Sequence, residues 1–428
     1  MDAFLIRGPS RLAGTVEASG AKNAALPAAA AALLTADPVV LENVPDVADI
    51  RTMGILLGQM GVSVARGEEG RLTLRADEVS STEAPFDLVR TMRASILVLG
   101  PLLARFGEAR VSLPGGCAIG VRPVDLHIAA MEAMGARVAV EKGYIHAHVS
   151  RVSTAAGRLT GAEITFPQPT VTGTENVLFA AALARGRTVL QNAAVEPEVV
   201  DVAGLLTAMG AQIEGAGTST IRVEGVERLH GTGRSPHVIV PDRIETGTYL
   251  AAGAISGGDV TVRGARAEDL SAFLDALRRA GVDVETGSGS IRVSRSGPLR
   301  ATDIRTAPHP GFPTDLQAQF LALMTQSRGT SRIEETVFES RFLHVAELVR
   351  LGADIRLAGH TAIVCGPTPL EGAPVTASDL RASAALVLAG LAARGETRVR
   401  RIYHLDRGYA GMDAKLRSLG ASIERIQG

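Results

Sequence analysis

A glycine-rich loop, VSLPGGCAIGVRPVDLH at residues 111–127, places Cys117 close in sequence to Arg122 and Asp125. Its glycines allow the main chain to approach a ligand closely. A guanidinium can hold a phosphate or carboxylate through paired hydrogen bonds, and a thiol becomes reactive in a partly exposed, electropositive setting. A buried structural cysteine is the alternative, but the flanking glycines disfavour a core position. The loop therefore predicts a reactive Cys117 beside an anion site.

Composition excludes several classes of function. The chain has 428 residues, 44 basic and 45 acidic, with two cysteines and no tryptophan. This charge balance argues against bulk nucleic-acid binding, and the lack of tryptophan against a base-stacking platform. No signal peptide or apolar run of membrane length is visible, and we expect a cytoplasmic protein without disulfides, acting on small molecules, with no nucleic-acid, membrane or obligatory protein partner. Cys365 ends the apolar run HTAIVCG and is predicted to lie in the core.

One α/β unit recurs six times along the chain. In each copy a helix ends in an apolar residue and a glycine, and a strand follows; the glycines are Gly61, Gly135, Gly210, Gly281, Gly352 and Gly420. Each glycine is predicted to terminate its helix. An alanine-rich helix and a further strand precede each copy, and the small residues of these helices predict burial from all sides. The repeat predicts an α/β fold with helices inside and sheets outside.

The two ends of the chain are predicted to share one sheet. The sixth copy stops after ASIERI, without the second strand that follows in the other copies, and the N-terminal segment AFLIRGPSRLAGTVEA has the pattern of the missing strand. We predict two domains of three units each, residues 22–240 with the Cys117 loop and residues 1–21 plus 241–428. Two chain crossings favour a hinge and an active site in the cleft between the domains.

Polar residues gather at the predicted starts of the alanine-rich helices: Lys22 and Asn23, Arg93, Glu175 and Asn176, Glu245, Asp315 and Gln317, and Asp379 with Arg381. Helix N-termini attract phosphate and carboxylate groups. Ordinary helix capping is an even alternative for Asp315, Asp379 or Glu245 taken singly. Arg341 and Arg407 lie in loops equivalent to the Cys117 loop, which favours an anion site over solvated surface charges.

Several cofactor signatures are missing from the sequence. No G-x-x-x-x-G-K-[ST] loop is present, and no dinucleotide-binding glycine fingerprint occurs in a strand-to-helix context. Histidines 127, 309, 344 and 404 lack metal-ligand spacing. We therefore expect neither a metal nor another cofactor.

Eight motifs resemble one family, the UDP-N-acetylglucosamine enolpyruvyl transferases. They are SGAKNAALP (19–27), TMRAS (91–95), LPGGCAIGVRPVDLH (113–127), PDRIETGT (241–248), TAPHPGFPTDLQAQF (306–320), ETVFESRFLHV (335–345), DLRASAALVLAG (379–390) and RIYHLDRGY (401–409). The resemblance covers the whole chain in order. It implies a two-domain inside-out α/β barrel and transfer of the enolpyruvyl group of phosphoenolpyruvate to the 3'-hydroxyl of UDP-N-acetylglucosamine, which begins peptidoglycan synthesis.

The resemblance also implies roles for particular residues. Cys117 is the acid and forms a covalent adduct, which implies inactivation by the epoxide fosfomycin, and Asp315 takes the sugar hydroxyl proton. The residues implied for phosphoenolpyruvate and its phosphate are Lys22, Asn23, Arg93, Arg122 and Arg407. Those implied for the sugar nucleotide are Arg93, Arg122, Pro123, Val124, Asp125, Leu126, Asp315 and Val337. Asp379 is expected beside the reaction centre, and Arg341 and Arg381 behind it.

One segment departs from the family. Where its common pattern is Ser-Val-Gly-Ala-Thr, residues 170–174 read TVTGT, which bears on how firmly uridine diphosphate is held. Three alternatives stay open: a shikimate-type enolpyruvyl transferase, which lacks the cysteine loop and the RPVDL segment; a non-catalytic sugar-nucleotide sensor, which would have lost a catalytic group; and an interaction scaffold, which leaves the grouped polar residues unexplained.

Overall fold

The computed structural model describes residues 2–90, 92–113, 124–150, 157–233 and 235–427. These residues form two compact units. Residues 2–19 and 241–427 belong to the first unit, and the described residues from 20 to 240 belong to the second. Each unit is built from the same kind of four-stranded sheet and buried helix.

The helices of the described residues are α1 Lys22–Ala31, α2 Ala48–Gln59, α3 Phe86–Val89, α4 Leu99–Phe106, α5 Asp125–Ala133, α6 Val171–Ala182, α7 Pro197–Ala208, α8 Arg243–Ile255, α9 Ser271–Arg279, α10 Gln317–Met324, α11 Val345–Arg350, α12 Leu380–Ala392 and α13 Met412–Ser418. Short 3-10 turns span Ala32–Leu34, Arg93–Val98, Glu268–Leu270, Thr314–Leu316 and Ile402–Arg407.

The strands of the described residues are β1 Asp2–Gly8, β2 Ala13–Glu17, β3 Val39–Glu42, β4 Ser63–Arg66, β5 Leu72–Arg75, β6 Glu83–Ala84, β7 Glu108–Ser112, β8 Ala136–Glu141, β9 Tyr144–Val149, β10 Glu163–Thr165, β11 Arg187–Gln191, β12 Gln212–Glu214, β13 Thr220–Glu224, β14 His237–Val238, β15 Asp259–Arg263, β16 Asp283–Gly287, β17 Ser290–Ser294, β18 Ile304–Arg305, β19 Gly329–Glu334, β20 Asp354–Ala358, β21 Thr361–Gly366, β22 Pro374–Thr376, β23 Gly395–Arg400 and β24 Ser422–Gln427.

One strand order recurs in all the four-stranded sheets of the described residues. In the order β6-β7-β9-β8, for example, β6 and β7 are parallel, and the other neighbours are antiparallel. The orders β14-β3-β5-β4 and β10-β11-β13-β12 complete the second unit, and β16-β17-β15-β2, β18-β19-β21-β20 and β22-β23-β1-β24 form the first. The sixfold repeat predicted from the glycines is therefore present as six equivalent sheets.

The two chain ends meet in one sheet, as the sequence predicts. Strand β1 lies between β23 and β24 and is antiparallel to both, with Phe4 opposite Val399 on one side and Arg425 on the other. Strand β2 then pairs in parallel with β15. The N-terminal segment therefore supplies the strand that the sixth copy lacks.

The repeat glycines terminate their helices. Each follows the C-cap of its helix and has a positive φ, from 86° at Gly281 to 103° at Gly210. This left-handed conformation costs glycine little and other residues much more, because glycine has no Cβ. The glycine at this position thus turns the chain from each helix into the next strand.

Three helices form the centre of each unit. In the first unit α10 packs against α12 and α8, and nearly every residue of the three is buried. In the second unit α6 packs on α4, and α1 is buried from Ala24 to Ala31. Small alanine side chains permit this close packing, and the predicted burial of these helices is confirmed.

One burial prediction is wrong. Cys365 lies in β21, as its sequence pattern indicates, but it is only half-buried, and its Sγ lies 3.6 Å from Thr330 Oγ1 on the neighbouring strand. Side chains alternate between the two faces of a strand, and because Ala362 and Val364 face the core, Cys365 lies on the opposite, outer face of β21. In the part of the chain that the structure describes, no helix combines the length and apolar character that crossing a membrane requires.

Candidate active site

Asp315 is held by two arginines in the first unit. It lies in the 3-10 turn Thr314–Leu316, where its Oδ1 accepts a hydrogen bond from Arg341 Nη2 at 2.6 Å and its Oδ2 accepts one from Arg381 Nη2 at 2.8 Å. Both arginine side chains are almost fully buried, whereas the Asp315 side chain remains 27% exposed. The arrangement offers one accessible carboxylate with two cations behind it.

Electrostatics fix the charge of this group. Burial raises the pKa of Asp315, but the charges and hydrogen bonds of Arg381 and Arg341 outweigh burial and hold that pKa well below its ordinary value. Asp315 is therefore ionised at neutral pH. With both arginines in place it is also a weak base, because a depressed pKa means a low affinity for a proton.

A buried polar network supports Arg381. Tyr409 Oη lies 3.3 Å from Arg381 Nη1 and 2.9 Å from Thr248 Oγ1, and Gln319 Nε2 donates to Thr248 Oγ1 and to the backbone oxygen of Asp315. Helices α8, α10 and α12 and the segment after Arg407 each contribute to this network. Their side chains are buried, so Arg381 is fixed in place by groups that have few alternative positions.

Asp379 caps α12, so its carboxylate, unlike that of Asp315, is engaged by the backbone of the helix. Its Oδ1 accepts hydrogen bonds from the backbone of Arg381 and Ala382, while Ser378 Oγ donates to its Oδ2. The capping alternative thus holds for Asp379, and it does not hold for Asp315.

His344 is buried near Asp379 and Arg341. Burial together with the charge of Arg341 outweighs the opposing effect of Asp379 and lowers the pKa of His344 to about 4.

The loop that carries Val337 is organised by a buried acid that sequence reasoning missed. Glu335 is 2% exposed, and its Oε1 accepts hydrogen bonds from Thr306 Oγ1 and from the backbone of Val337 and Phe338. Its Oε2 accepts a further bond from Thr314 Oγ1, next to Asp315. Val337 itself is 37% exposed. An acid directly after a strand and before an exposed loop is the signal that could have identified Glu335.

Arg407 ends the 3-10 turn Ile402–Arg407 and is half-buried. It thus lies in the first unit, as do Asp315, Val337, Arg341, Asp379 and Arg381. The structure brings Asp315, Arg341 and Arg381 into direct contact.

Lys22 and Asn23 begin α1 in the second unit, as predicted. Lys22 Nζ lies 3.0 Å from Asp49 Oδ2 of α2, and the two side chains are 12% and 7% exposed. Asn23 is exposed. A largely buried ion pair thus fixes the position of the ammonium group at the start of this helix.

The remaining predicted ligand residues of the second unit lie at the starts of other elements. Arg93 begins the 3-10 turn Arg93–Val98 and is half-buried. Val124 precedes α5, Asp125 is its exposed first residue, and Leu126 is half-buried. Cys117, Arg122 and Pro123 lie outside the described residues.

Glu245 is a buried ion-pair partner. Asp242 caps α8, and Glu245 pairs with Lys415 of α13. Glu175 and Asn176 lie inside α6 and are fully buried, rather than at its start. Among the residues the structure describes, no group of three or more His, Cys, Asp or Glu side chains is arranged to hold a metal ion.

The sheet-and-helix repeat defines a class of fold known from enolpyruvyl transferases. The enolpyruvyl transferase NikO from Streptomyces tendae superposes with a TM-score of 0.88 at 29% identity, over 100% of this chain and 99% of that one. The EPSP synthase from Acinetobacter baumannii has a TM-score of 0.74 at 19% identity, over 100% of both chains, a likeness of fold alone. The predicted inside-out α/β fold is confirmed.

Sequence comparison gives the family. The model for EPSP synthase (3-phosphoshikimate 1-carboxyvinyltransferase) matches residues 6–416, and the chain belongs to this family. The UDP-N-acetylglucosamine 1-carboxyvinyltransferase of Anaeromyxobacter sp. (strain K) is 57% identical over 430 residues. The protein of the same name from Magnetococcus marinus is 56% identical over 427 residues, and each alignment covers 100% of both chains.

Proposed function

We propose that this protein transfers the enolpyruvyl group of phosphoenolpyruvate to the 3'-hydroxyl of UDP-N-acetylglucosamine and releases phosphate, the first committed step of peptidoglycan synthesis. The observation that carries the proposal is identity of 56–57% over the full length with relatives that bear this activity in their names. The arginine-held carboxylate at Asp315 supports it, because the reaction needs a base among groups that bind anions.

The reaction is an addition followed by an elimination. A proton adds to C3 of phosphoenolpyruvate, and C2 becomes electrophilic. The sugar 3'-oxygen then bonds to C2 and loses its proton. The bond between C2 and the phosphate oxygen breaks, phosphate leaves with that electron pair, and C3 loses a proton to restore the double bond. In this proposal Cys117 protonates C3 and Asp315 accepts the proton of the sugar hydroxyl.

Asp315 must become a better base before it can act. Arg341 and Arg381 hold its pKa well below the ordinary range in the ligand-free protein. Phosphoenolpyruvate carries a phosphate and a carboxylate, and either can draw a guanidinium away from Asp315. Loss of one arginine contact raises the pKa of Asp315. The resemblance places these two arginines behind the reaction centre. From there they couple binding of the anionic donor to the basicity of the reacting carboxylate.

The other residues bind the two substrates. Lys22, Asn23, Arg122 and Arg407 hold phosphoenolpyruvate and the departing phosphate, and Asp379 stands beside the reaction centre. The sugar nucleotide is held by Arg93, Arg122, Pro123, Val124, Asp125, Leu126, Asp315 and Val337. The exposed start of α5 and the partly exposed Val337 suit such contacts. Both substrates are small molecules, and the cytoplasmic location expected from the sequence stays a prediction.

Phosphate release tests this proposal. The purified protein is incubated with phosphoenolpyruvate and either UDP-N-acetylglucosamine or shikimate 3-phosphate, and the Cys117→Ala variant is run beside it. Turnover with the sugar nucleotide alone is expected. Turnover with shikimate 3-phosphate would contradict the assigned acceptor. Binding of the sugar nucleotide without turnover would indicate a non-catalytic sensor.

A further inference from the structure

Asn176 joins three segments of the second unit through one carboxamide. Its side chain is completely buried in α6. The Oδ1 atom accepts a hydrogen bond from the backbone of Gly100 at 2.9 Å, and Nδ2 donates to the backbone oxygen of Ile96 at 3.0 Å. Nδ2 also lies 2.9 Å from Nδ1 of His127 in α5. Through Asn176, α6 is therefore tied to the turn that begins at Arg93, to the start of α4 and to α5, which begins within the RPVDL segment.

These contacts determine the tautomer of His127. Because Oδ1 of Asn176 faces the Gly100 N–H, the group that faces the imidazole is the amide NH2, which can only donate. Nδ1 of His127 must therefore accept, and the ring proton lies on Nε2. Nε2 lies 3.3 Å from Thr172 Oγ1, to which it donates. Every polar atom of the Asn176 and His127 side chains is thus used with one defined polarity.

The environment keeps this ring neutral. His127 is 3% exposed, and burial followed by the positive charge of Arg93 lowers its pKa to about 4. A protonated ring would carry a second hydrogen on Nδ1, directed at the amide hydrogens of Asn176. Its charge would also repel Arg93. The neutral Nε2–H form is the one that fits both neighbours.

We propose that Asn176 is a positioning residue for the sugar nucleotide: by locking His127 in its neutral Nε2–H tautomer, it holds Arg93, the start of α5 and Thr172 in the arrangement that binds the substrate. The inference rests on the proposed function, since Arg93 and residues 124–126 are ligand residues there. Thr172 stands where the resembling family has glycine. The hydrogen bond from His127 Nε2 to the Thr172 hydroxyl is therefore a feature of this protein that the family pattern does not provide.

The tautomer can be observed directly by ¹⁵N NMR of the full chain labelled at histidine. The His127 signals are assigned from their disappearance in His127→Gln or from their displacement in Asn176→Asp. We expect a protonated Nε2 and a bare Nδ1, unchanged across the neutral pH range. A protonated Nδ1, or titration near the ordinary pKa of histidine of about 6.5, would overturn the inference whatever the enzymatic activity.

The conservative variant Asn176→Asp supplies the second test. Aspartate preserves the shape and the acceptor for Gly100, but it replaces the amide NH2 by an acceptor. The hydrogen bond to the backbone oxygen of Ile96 is therefore lost, and the His127 ring must move its proton to Nδ1 or become charged. We expect a rise in the pKa of His127 and about a tenfold rise in KM for UDP-N-acetylglucosamine, as for the loss of one buried hydrogen bond, with KM for phosphoenolpyruvate nearly unchanged. Thr172→Val, which removes the acceptor of Nε2–H, should raise the same KM, whereas Thr172→Ser should not.

The control is Asn192→Asp, at a half-buried position in the same unit where the amide donates to the backbone of Phe166. It should leave KM for the sugar nucleotide and the His127 signals unchanged. If the wild-type protein turns over and Asn176→Asp binds both substrates normally, the positioning role is wrong. If the wild-type protein does not turn over, the proposed function fails, and the NMR result still decides the tautomer.

Discussion

Lys415 and Glu245 lie 170 residues apart in the sequence, yet Lys415 Nζ lies 2.9 Å from Glu245 Oε1. The same ammonium group donates to Ser19 Oγ and to the backbone oxygen of Glu17, and Glu245 Oε2 accepts from the Ser19 N–H at 2.6 Å. Glu245 is 1% exposed and Lys415 22%. The pair thus fixes the last residues of the N-terminal segment to α8 and α13 within the first unit.

Removing Lys415 while Glu245 is kept should destabilise the folded protein. Lys415→Met leaves a buried carboxylate without its cation, and we expect the free energy of unfolding to fall by about 3 kcal/mol. Burial already raises the pKa of Glu245 against the opposing effect of Lys415, so the variant should raise it further. A raised pKa in the folded state means stability that is present at low pH and lost as pH rises through that pKa. Denaturant unfolding of the variant should therefore show greater stability in mild acid than at alkaline pH.

The double variant Lys415→Met/Glu245→Gln is the control for this interpretation. It removes the stranded charge, so it should be more stable than Lys415→Met at neutral pH and should lack the added pH dependence. Equal stability of the single and double variants would show that packing of the lysine stem, rather than charge pairing, is what Lys415 contributes.

Asp315→Asn tests the arginine-held carboxylate. Removing the negative charge leaves Arg341 and Arg381 buried without their counter-ion, and we expect the free energy of unfolding to fall by about 3 kcal/mol. Turnover should fall by at least about 100-fold if Asp315 is the base. The exposed Asp275→Asn, which loses only a surface ion pair with Arg278, should change stability by less than about 0.5 kcal/mol. Full activity of Asp315→Asn would exclude Asp315 as the base.

The low pKa of Asp315 also implies that the protein loses stability in acid. Its pKa in the folded protein is depressed, so its contribution is present above the ordinary aspartate pKa and is lost as pH falls through the folded value. The difference in free energy of unfolding between the wild-type protein and Asp315→Asn should therefore become smaller in strong acid. A deficit that is constant with pH would contradict the electrostatic account.

Glu175 predicts the opposite pH dependence in the second unit. Burial, then the negative charges of Glu198 and Glu196, raise its pKa well above the ordinary value, and its Oε1 has no hydrogen-bond partner among the residues that the structure describes. The wild-type protein should lose stability as pH rises through that pKa. Glu175→Gln should remove this loss, so its melting temperature relative to wild type should increase with pH. Glu163→Gln, at an exposed strand position, should differ from the wild-type protein in melting temperature by an amount that does not change with pH.

Sequence predicted the features that repeat or that are local. The terminating glycines and the missing sixth strand are visible in short patterns, so the six sheets and the place of β1 could be predicted. The pairing of Lys415 with Glu245 and the loop contacts of Glu335 could not, because each depends on side chains from distant segments. Asp315 was identified as a functional residue, but its low pKa follows only from the two guanidinium groups beside it.

Fosfomycin gives a test of Cys117 that does not require turnover. A reactive thiolate would open the epoxide, forming a carbon–sulfur bond while the carbon–oxygen bond breaks and the alkoxide gains a proton. With UDP-N-acetylglucosamine present, we expect intact-protein mass to increase by one drug molecule, located at residue 117 by peptide mapping. Cys117→Ser should gain nothing. Modification at Cys365, the half-buried second cysteine, would contradict selective reactivity of Cys117.

Gly100 tests how closely α4 and α6 must approach. A Cβ at this position would lie 2.5 Å from the backbone oxygen of Asn176 and 2.9 Å from its Oδ1, distances that require the backbone to shift. Gly100→Ala should therefore lower the free energy of unfolding by about 2 kcal/mol, despite the better helix propensity of alanine. Gly204→Ala, at an exposed position of α7 with open space around the added methyl group, should instead raise the free energy of unfolding by about 0.5–1 kcal/mol. If both variants are stabilised, the two helices can separate at little cost, and the hydrogen bond from Gly100 to Asn176 cannot hold their spacing.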